Sequence, residues 1–149
     1  MSFQTVTSNT GSQLFVNTDT SKIFIGENYT RQEVFINNTN YNPDNLAAGT
    51  VMGRVTATGA VVPFDATASD GSQYVVGILG NDLSILPGAI VTASIVVKGE
   101  VSQSQVILYV PGQTLSTVVN GRQIRDRITG DTAGIILVPS TDLTGFDNS

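Results

Sequence analysis

Histidine, cysteine and tryptophan are absent from the 149 residues of this chain. Without histidine, a Ser-His-Asp triad and a zinc site that uses imidazole are both excluded within one chain type. Without cysteine, the chain has no thiolate nucleophile, no disulfide and no metal–sulfur site. We therefore expect no cofactor and no metal.

Charge is also scarce: 13% of the residues are charged, about half of the roughly 25% that is usual. The net charge is −5 and no basic stripe is present, which argues against nucleic acid as a partner. No apolar run approaches the length of about 18 residues that a membrane helix needs. Residues 1–5 lack the basic and apolar regions of a secretory signal. We expect neither a nucleic-acid nor a membrane partner.

Carboxylates are the remaining candidates for catalysis. Asp65 and Asp70 lie in one predicted loop, and Asp126 and Asp131 flank the end of a predicted helix. A glycosidase places two carboxylates across a sugar cleft, but such clefts usually carry aromatic platforms, and tryptophan is absent. Aspartate is common in turns and caps, so we assign these residues structural roles and predict that the chain is not an enzyme.

Short apolar runs separated by turn residues predict a mainly β fold, a small barrel or sandwich. Strands are predicted over 51–56, 61–64, 74–79, 89–98, 106–110 and 133–138. In the run 89–98 every second residue is apolar, which turns one face towards the core. One helical turn is predicted over 65–71.

Residues 120–130 are the best helix candidate. Asn120 is a candidate cap, Ile124 and Ile128 share one face, and Gly130 is a candidate stop. Three arginines cover the remaining surface of this helix. They could bind phosphate, but a solvated face or a pairing surface for acidic neighbours is expected instead. These are Arg122, Arg125 and Arg127.

The N-terminal residues 1–32 contain two apolar islands in a polar context, 14–16 and 23–25. Each island is long enough for one short strand. Two alternatives stay open: the strands belong to the main domain, or the segment is an arm that stays open until a partner supplies a sheet. The expected organisation is an arm over 1–32, a β domain over 33–138 and a tail over 139–149.

Four short motifs in residues 46–80 carry a family resemblance through their order and spacing. They are Ala-Gly-Thr-Val-x-Gly from Ala48, Thr-Ala-Thr-Gly from Thr56, Asp-Gly-Ser-Gln from Asp70 and Val-Gly-Ile-Leu from Val76. In these features the chain resembles the lambda-type bacteriophage head decoration proteins, which cement a capsid shell. The resemblance covers residues 33–138, because three later motifs also fit. They are Gly-Glu-Val from Gly99, Arg-Asp-Arg from Arg125 in the predicted helix, and Gly-Ile-Ile-Leu from Gly134.

The resemblance implies a β-clip or β-tulip fold with one short helix, assembled as a homotrimer. It implies that the protein decorates the outer surface of the major capsid protein lattice, as a virion protein made in the host cytoplasm. One alternative is another phage interaction module, such as a tail or a receptor- or glycan-binding head. The other is a trimeric β-clip enzyme such as a deoxyuridine triphosphatase, whose motifs are not found in the chain.

If residues 1–32 are an arm, its apolar islands are the candidate capsid-binding residues. Such an arm would add a strand to a sheet edge of the shell protein. The candidates are Leu14, Phe15, Val16, Ile23, Phe24 and Ile25.

Overall fold

A computed structural model of the protein describes residues 23–36, 45–84, 89–132 and 134–139. Within these ranges the chain forms ten strands, one α-helix and one 3-10 helix. The strands are β1 (Phe24–Ile36), β2 (Asn45–Leu46), β3 (Val51–Arg54), β4 (Val61–Pro63), β5 (Val75–Leu79), β6 (Leu83–Ser84), β7 (Ile90–Ser102), β8 (Val118–Val119), β9 (Arg122–Gln123) and β10 (Gly134–Val138). The helices are α1 (Ile124–Asp131) and the 3-10 helix (Gln103–Gln105). The prediction of a mainly β fold with one short helix is confirmed.

Six strands form one mixed sheet in the order β1-β4-β3-β5-β7-β10. Neighbours are antiparallel except for two parallel pairs, β1 with β4 and β10 with β7. β1 also pairs antiparallel with β7 over most of its length, so the series of pairings returns to its first strand. Because β1 and β4 meet at one residue pair, Phe35 and Val61, we describe a mixed sheet and not a closed barrel.

Two clusters of buried side chains lie on opposite faces of this sheet. Ile78 belongs to one cluster and its neighbour Leu79 to the other, and adjacent residues of a strand point to opposite faces. The first cluster, here the helix-side core, includes Ile124 and Ile128 of α1. The second cluster, here the ribbon-side core, is covered by the small β2–β6 ribbon through Leu46.

β7 contributes to both cores. Ala93 and Ile95 point into the ribbon-side core, as the alternation in 89–98 predicts, whereas Val101 lies in the helix-side core. Inserting one residue into a strand turns all later side chains to the other face. The pairing of β1 with β7 contains two register shifts, and the one between Tyr29 and Thr30 leaves Val97 as an extra residue on β7, so one continuous strand can pack against both clusters.

Glycine permits the first of these irregularities, which lies between Ile25 and Asn28. Gly26 has a φ of 68°, a conformation that glycine adopts with little strain. Opposite it, a Cβ on Gly99 would lie 2.7 Å from the Cβ of Asn28. Both positions therefore favour glycine.

The helix predicted over 120–130 begins four residues later, at Ile124. Asn120 does not cap it: with a φ of 54°, Asn120 and Gly121 form the tight turn between β8 and β9. Asn-Gly is the preferred pair for such a hairpin turn. Ile124 and Ile128 are buried on one helix face, as predicted. Gly130 lies inside the helix, which ends at Asp131.

Two further predicted elements are wrong. Residues 106–110 form no strand; Ile107 makes an isolated bridge with Thr50. Residues 65–71 form no helical turn. Instead, the Oδ1 atom of Asp65 accepts a hydrogen bond from the backbone N–H of Thr67 at 2.9 Å. Such side-chain contacts stabilise turns and compete with helix formation.

β1 crosses the expected boundary between residues 32 and 33. It runs without interruption from Phe24 to Ile36 and pairs with β7 from Val101 to Ile90. Residues 24–32 are therefore part of the β domain.

Candidate functional site

One end of the main sheet is the candidate site, because the predicted capsid-binding residues lead to it. Leu14, Phe15 and Val16 lie outside the described residues. Ile23, Phe24 and Ile25 form the beginning of β1 and its preceding turn. The 3-10 helix that follows β7 lies at the same end, since Phe24 is opposite Val101.

Ile23 fixes the chain to this end of the sheet. Its side chain is 1% exposed and belongs to the helix-side core. Its carbonyl accepts a hydrogen bond from the N–H of Ser102 at 2.7 Å. A buried isoleucine contributes roughly 1.5–3 kcal/mol by leaving water, so Ile23 cannot contact a partner without opening the domain. Ile23 is an anchor, and the chain that precedes it is attached here.

Phe24 and Ile25 point to opposite sides of the sheet. Phe24 packs against the helix-side core. Ile25 is half-buried on the outward side, in one row with Glu100 and Ile136. Ile136 is 57% exposed, so this row presents aliphatic side chains on both sides of one carboxylate. Among the predicted capsid-binding residues Ile23, Phe24 and Ile25, Ile25 is the one whose side chain lies on a surface that a partner could reach.

The described C-terminal end of the chain lies at the same end of the sheet. β10 runs parallel to β7 and places Val138 opposite Ser102. Phe24 and Leu137 both pair with Val101, so β1 and β10 flank β7. With strands about 4.8 Å apart, Ile23 and Pro139 lie roughly 10 Å from each other. The predicted tail continues from Pro139, and residues 140–149 lie outside the described ranges.

A second polar feature is an ion pair between β1 and β3. The guanidinium of Arg54 holds both carboxylate oxygens of Glu33, at 3.0 and 2.8 Å. It also donates to the carbonyl of Gly59 at 2.8 Å. The hydrogen bond from Arg54 lowers the pKa of Glu33, against the opposing effect of partial burial. This bidentate pair fixes β1 against β3 and has the geometry of a structural contact.

Two of the carboxylates considered for catalysis, Asp65 and Asp70, serve turns, and a third, Asp131, accepts a hydrogen bond from the N–H of Val75 at 3.3 Å. Partial burial raises the pKa of Asp65, but the hydrogen bonds from Thr67 and Gln113 together lower it by more. The net shift of the pKa is therefore downward. The Oδ1 atom of Asp70 accepts from the N–H and the hydroxyl of Ser72. A lowered pKa keeps Asp65 ionised, the opposite of what a general acid requires.

The three arginines expected on the helix surface differ in role. Arg127 is 5% exposed, which corrects the prediction of a solvated residue. It donates to the carbonyls of Val119 at 2.6 Å and Gln73 at 3.3 Å. Arg122 is exposed and lies 3.5 Å from Asp131. Arg127 therefore joins α1 to β8 and to the loop before β5.

Within the described ranges, no three carboxylate side chains lie close enough together to hold a metal ion. In the same ranges no helix has the length and apolar character of a membrane span. What the surface does offer is an anchored chain end, exposed aliphatic side chains and structural ion pairs. The fold and these features place the chain among mainly β proteins with one short helix.

The chain belongs to the family of the bacteriophage lambda head decoration protein D, whose family model matches residues 13–111. A comparison with curated proteins found no match. The family match confirms the resemblance to lambda-type decoration proteins that the sequence motifs indicated. Membership gives the chain a structural, capsid-decorating role located at the virion, in a family that is not an enzyme class.

The match begins 20 residues before Glu33, where the resemblance was expected to start, and it includes Leu14, Phe15 and Val16. It ends at Pro111, before the β8–β9 hairpin, α1 and β10. The C-terminal part of the domain is thus joined to the matched part through β7 and the helix-side core.

Two features of the site escaped the sequence interpretation. Ile23 and Pro139 lie at the same end of the sheet because β10 pairs in parallel with β7, and residues 134–138 carry no local signal for that pairing. The burial of Arg127 depends on carbonyls from distant parts of the chain. Arg54 is one of two charged residues on the predicted strands, which could have marked it as a paired residue, but its partner Glu33 lies on none of them.

Proposed function

We propose that the protein binds as a homotrimer to the outer surface of the major capsid protein lattice and cements it. The observation that carries this proposal is the family match over residues 13–111. Each trimer would contact neighbouring capsid subunits at a local three-fold position and oppose their separation. Binding and not turnover is the mechanism.

The stabilisation follows from linkage. A protein that binds only the assembled, expanded shell stabilises it by RT ln(1 + [L]/Kd), about 2.7 kcal/mol per site at a concentration 100 times Kd. A shell offers many sites, so a modest contribution per site becomes a large resistance to disassembly.

We propose that the N-terminal segment is the shell-binding part, with Leu14, Phe15 and Val16 in contact with the capsid. Two observations favour this: the family match includes these residues, and Ile23 anchors the following chain in the core. The arm then corresponds to residues 1–22, with Ile23 and Phe24 as its attachment and Ile25 at the margin of the contact.

Strand addition to a sheet edge of the shell protein is the proposed mode of contact. Ordering a segment takes roughly 1–2 kcal/mol of backbone entropy per residue, so one arm binds weakly. Three arms on one trimer act together, and avidity gains of roughly 10²–10⁴ are attainable when the geometry permits.

Co-sedimentation tests the proposal. Expanded capsids that lack the protein are mixed with it, and the pelleted protein is quantified and located by electron microscopy. We expect saturable binding at local three-fold positions in multiples of three copies. Binding only to host cells or glycans would instead favour a tail or receptor-binding module, and nucleotide hydrolysis would favour the β-clip enzyme.

A further inference from the structure

Four side chains of β1 and β7 form an uncharged surface exposed to solvent. Val34 is opposite Thr92, and alternation places Gln32 and Ile90 on the same side. Val34 is 49% exposed and Ile90 68% exposed. Phe35, the residue after Val34, points the other way into the ribbon-side core. We call this surface, made of Gln32, Val34, Ile90 and Thr92, the lateral face.

The charges of β1 and β7 lie elsewhere. Arg31 and Glu33 alternate with the residues of the lateral face and point to the other side, where Glu33 meets Arg54. Lys98 lies farther along β7, beside the ring of Tyr29. The lateral face thus combines two large exposed aliphatic side chains with two neutral polar ones.

The orientation of the lateral face follows from the strands that carry it. Val34 is ten residues from Phe24 on β1, a separation of about 30 Å at roughly 3.3 Å per residue. Side chains of a strand project perpendicular to its direction. If the Ile23 end of the sheet faces the shell, as the proposed function requires, the lateral face points sideways to a neighbouring copy.

We infer that the lateral face is the contact between copies of this chain in the trimer, an inference that rests on the proposed function. Every copy carries a net charge of −5, so copies repel one another at long range. In a three-fold ring the lateral face of one copy meets a different surface of the next copy, and a face without charges can do so without burying an unpaired charge of its own. Gln32 and Thr92 supply neutral hydrogen-bonding groups, and Val34 and Ile90 supply apolar area.

Single lysine substitutions test the inference. Val34→Lys and Ile90→Lys each place a charge in the contact and leave the core unchanged. The matched control is Ile136→Lys, at a similarly exposed isoleucine on β10. By analytical ultracentrifugation we expect three chains per particle for the intact protein and for the control. The two lateral-face variants should need at least about tenfold higher protein concentration to reach the same trimer fraction. At protein dilutions where every variant is fully monomeric, their thermal midpoints should equal that of the control.

A second readout does not depend on the lysine variants folding. Because the chain has no cysteine, Thr92→Cys carries a unique thiol. We expect it to react with a maleimide at least about tenfold more slowly in the trimer than in the diluted monomer, while an Ile136→Cys thiol reacts equally fast in both.

The outcomes separate this inference from the proposed function. A fully reactive thiol at residue 92 in the trimer, an unchanged trimer fraction in folded Val34→Lys and Ile90→Lys, or an intact protein that is monomeric at all soluble concentrations overturns the inference. Failure of the intact protein to bind capsids counts against the proposed function, whatever its oligomeric state.

Discussion

Alanine in place of Gly77, at the middle of β5, should force β5 and β7 apart. The added methyl carbon would collide with the carbonyl oxygen of Val96 and would lie 2.5 Å from Cγ2 of Ile95. Non-bonded carbon atoms pack best at about 3.5–4.0 Å, so the strands have to separate by roughly 1 Å. This happens where Ile78 pairs with Val96, beside both cores, and no flexible side chain can move aside to relieve the backbone contact.

Overpacking of this kind costs about 1–3 kcal/mol, and we expect the upper part of that range because one conflict is with backbone. For a chain of this length 1 kcal/mol corresponds to about 2–4 °C in Tm, so Gly77→Ala should melt roughly 5–10 °C lower than the intact protein. Urea unfolding followed by circular dichroism gives the free energy directly.

Gly80→Ala is the matched control. Gly80 follows the end of β5, and a Cβ there would meet Ser94 oxygen at 3.2 Å, a contact that small shifts relieve. We expect it to lose about 1 kcal/mol or less. If Gly77→Ala is no less stable than Gly80→Ala, the close pairing of β5 with β7 is incorrect.

Three further predictions concern charge. The pKa of Glu33 is lowered, chiefly by the hydrogen bond from Arg54, so the pair stabilises the fold above the pKa of an unfolded glutamate and this stability is lost as pH falls through the folded-state pKa. Glu33→Gln should therefore flatten the acid-side loss of unfolding free energy as pH falls below the pKa of an unfolded glutamate; an unchanged slope in urea titrations would show that the pair contributes nothing. Arg127→Lys should lower the unfolding free energy by about 1–2 kcal/mol, because one ammonium replaces a guanidinium that reaches the carbonyls of both Val119 and Gln73. Arg125→Lys, the control, should stay within about 0.5 kcal/mol of the intact protein. Equal denaturation midpoints for the two variants would refute a structural role of the Arg127 hydrogen bonds. Finally, capsid occupancy should survive 1 M NaCl, where the Debye length is ~3 Å, and release of most copies in a pelleting assay would mean that charge carries the attachment.

The sequence predicts the fold best where burial leaves a regular pattern. Val91, Ala93 and Ile95 alternate with less apolar residues, and this pattern correctly places β7 and its core-facing side. Ile124 and Ile128, four residues apart, likewise identify the buried face of α1. In both cases one face meets a core and the other meets solvent, so the period is visible.

The length of β1 could not be predicted, because its pattern is missing. Residues 29–32 are exposed on both faces, so no alternation marks them as strand. They are held by pairing with β7, whose partner residues lie 62 to 69 positions later in the chain. Tertiary pairing can impose a strand on a sequence without local signal, and the expected boundary at residue 32 reflects this.

The helix start was misplaced for a different reason. Asn120 satisfies the preference for an N-cap, but with Gly121 it also satisfies the stronger signal of a two-residue hairpin turn. The flanking strands β8 and β9 are two residues each, too short to show alternation. The structure selects the hairpin, and α1 begins directly after β9.

At the candidate site, the sequence identified the apolar islands but could not distinguish anchor from contact. Leu14 and Ile23 each begin a three-residue apolar island in a polar segment, so the local sequence does not distinguish them. Ile23 is buried because Ser102 and the helix-side core lie beside it. We therefore propose Ile23 as an anchor in the domain and Leu14, Phe15 and Val16 as the capsid contacts.

Deletion of residues 2–22 tests the central claim most directly. Occupancy of expanded capsids is measured by co-sedimentation for the intact protein, the deletion, and a full-length variant with serine at Leu14, Phe15 and Val16. We expect all three proteins to fold with the same Tm and both altered proteins to lose capsid affinity by roughly 100-fold or more. Equal occupancy by the deletion and the intact protein would contradict the claim, as would a deletion that no longer folds, because the segment would then belong to the domain.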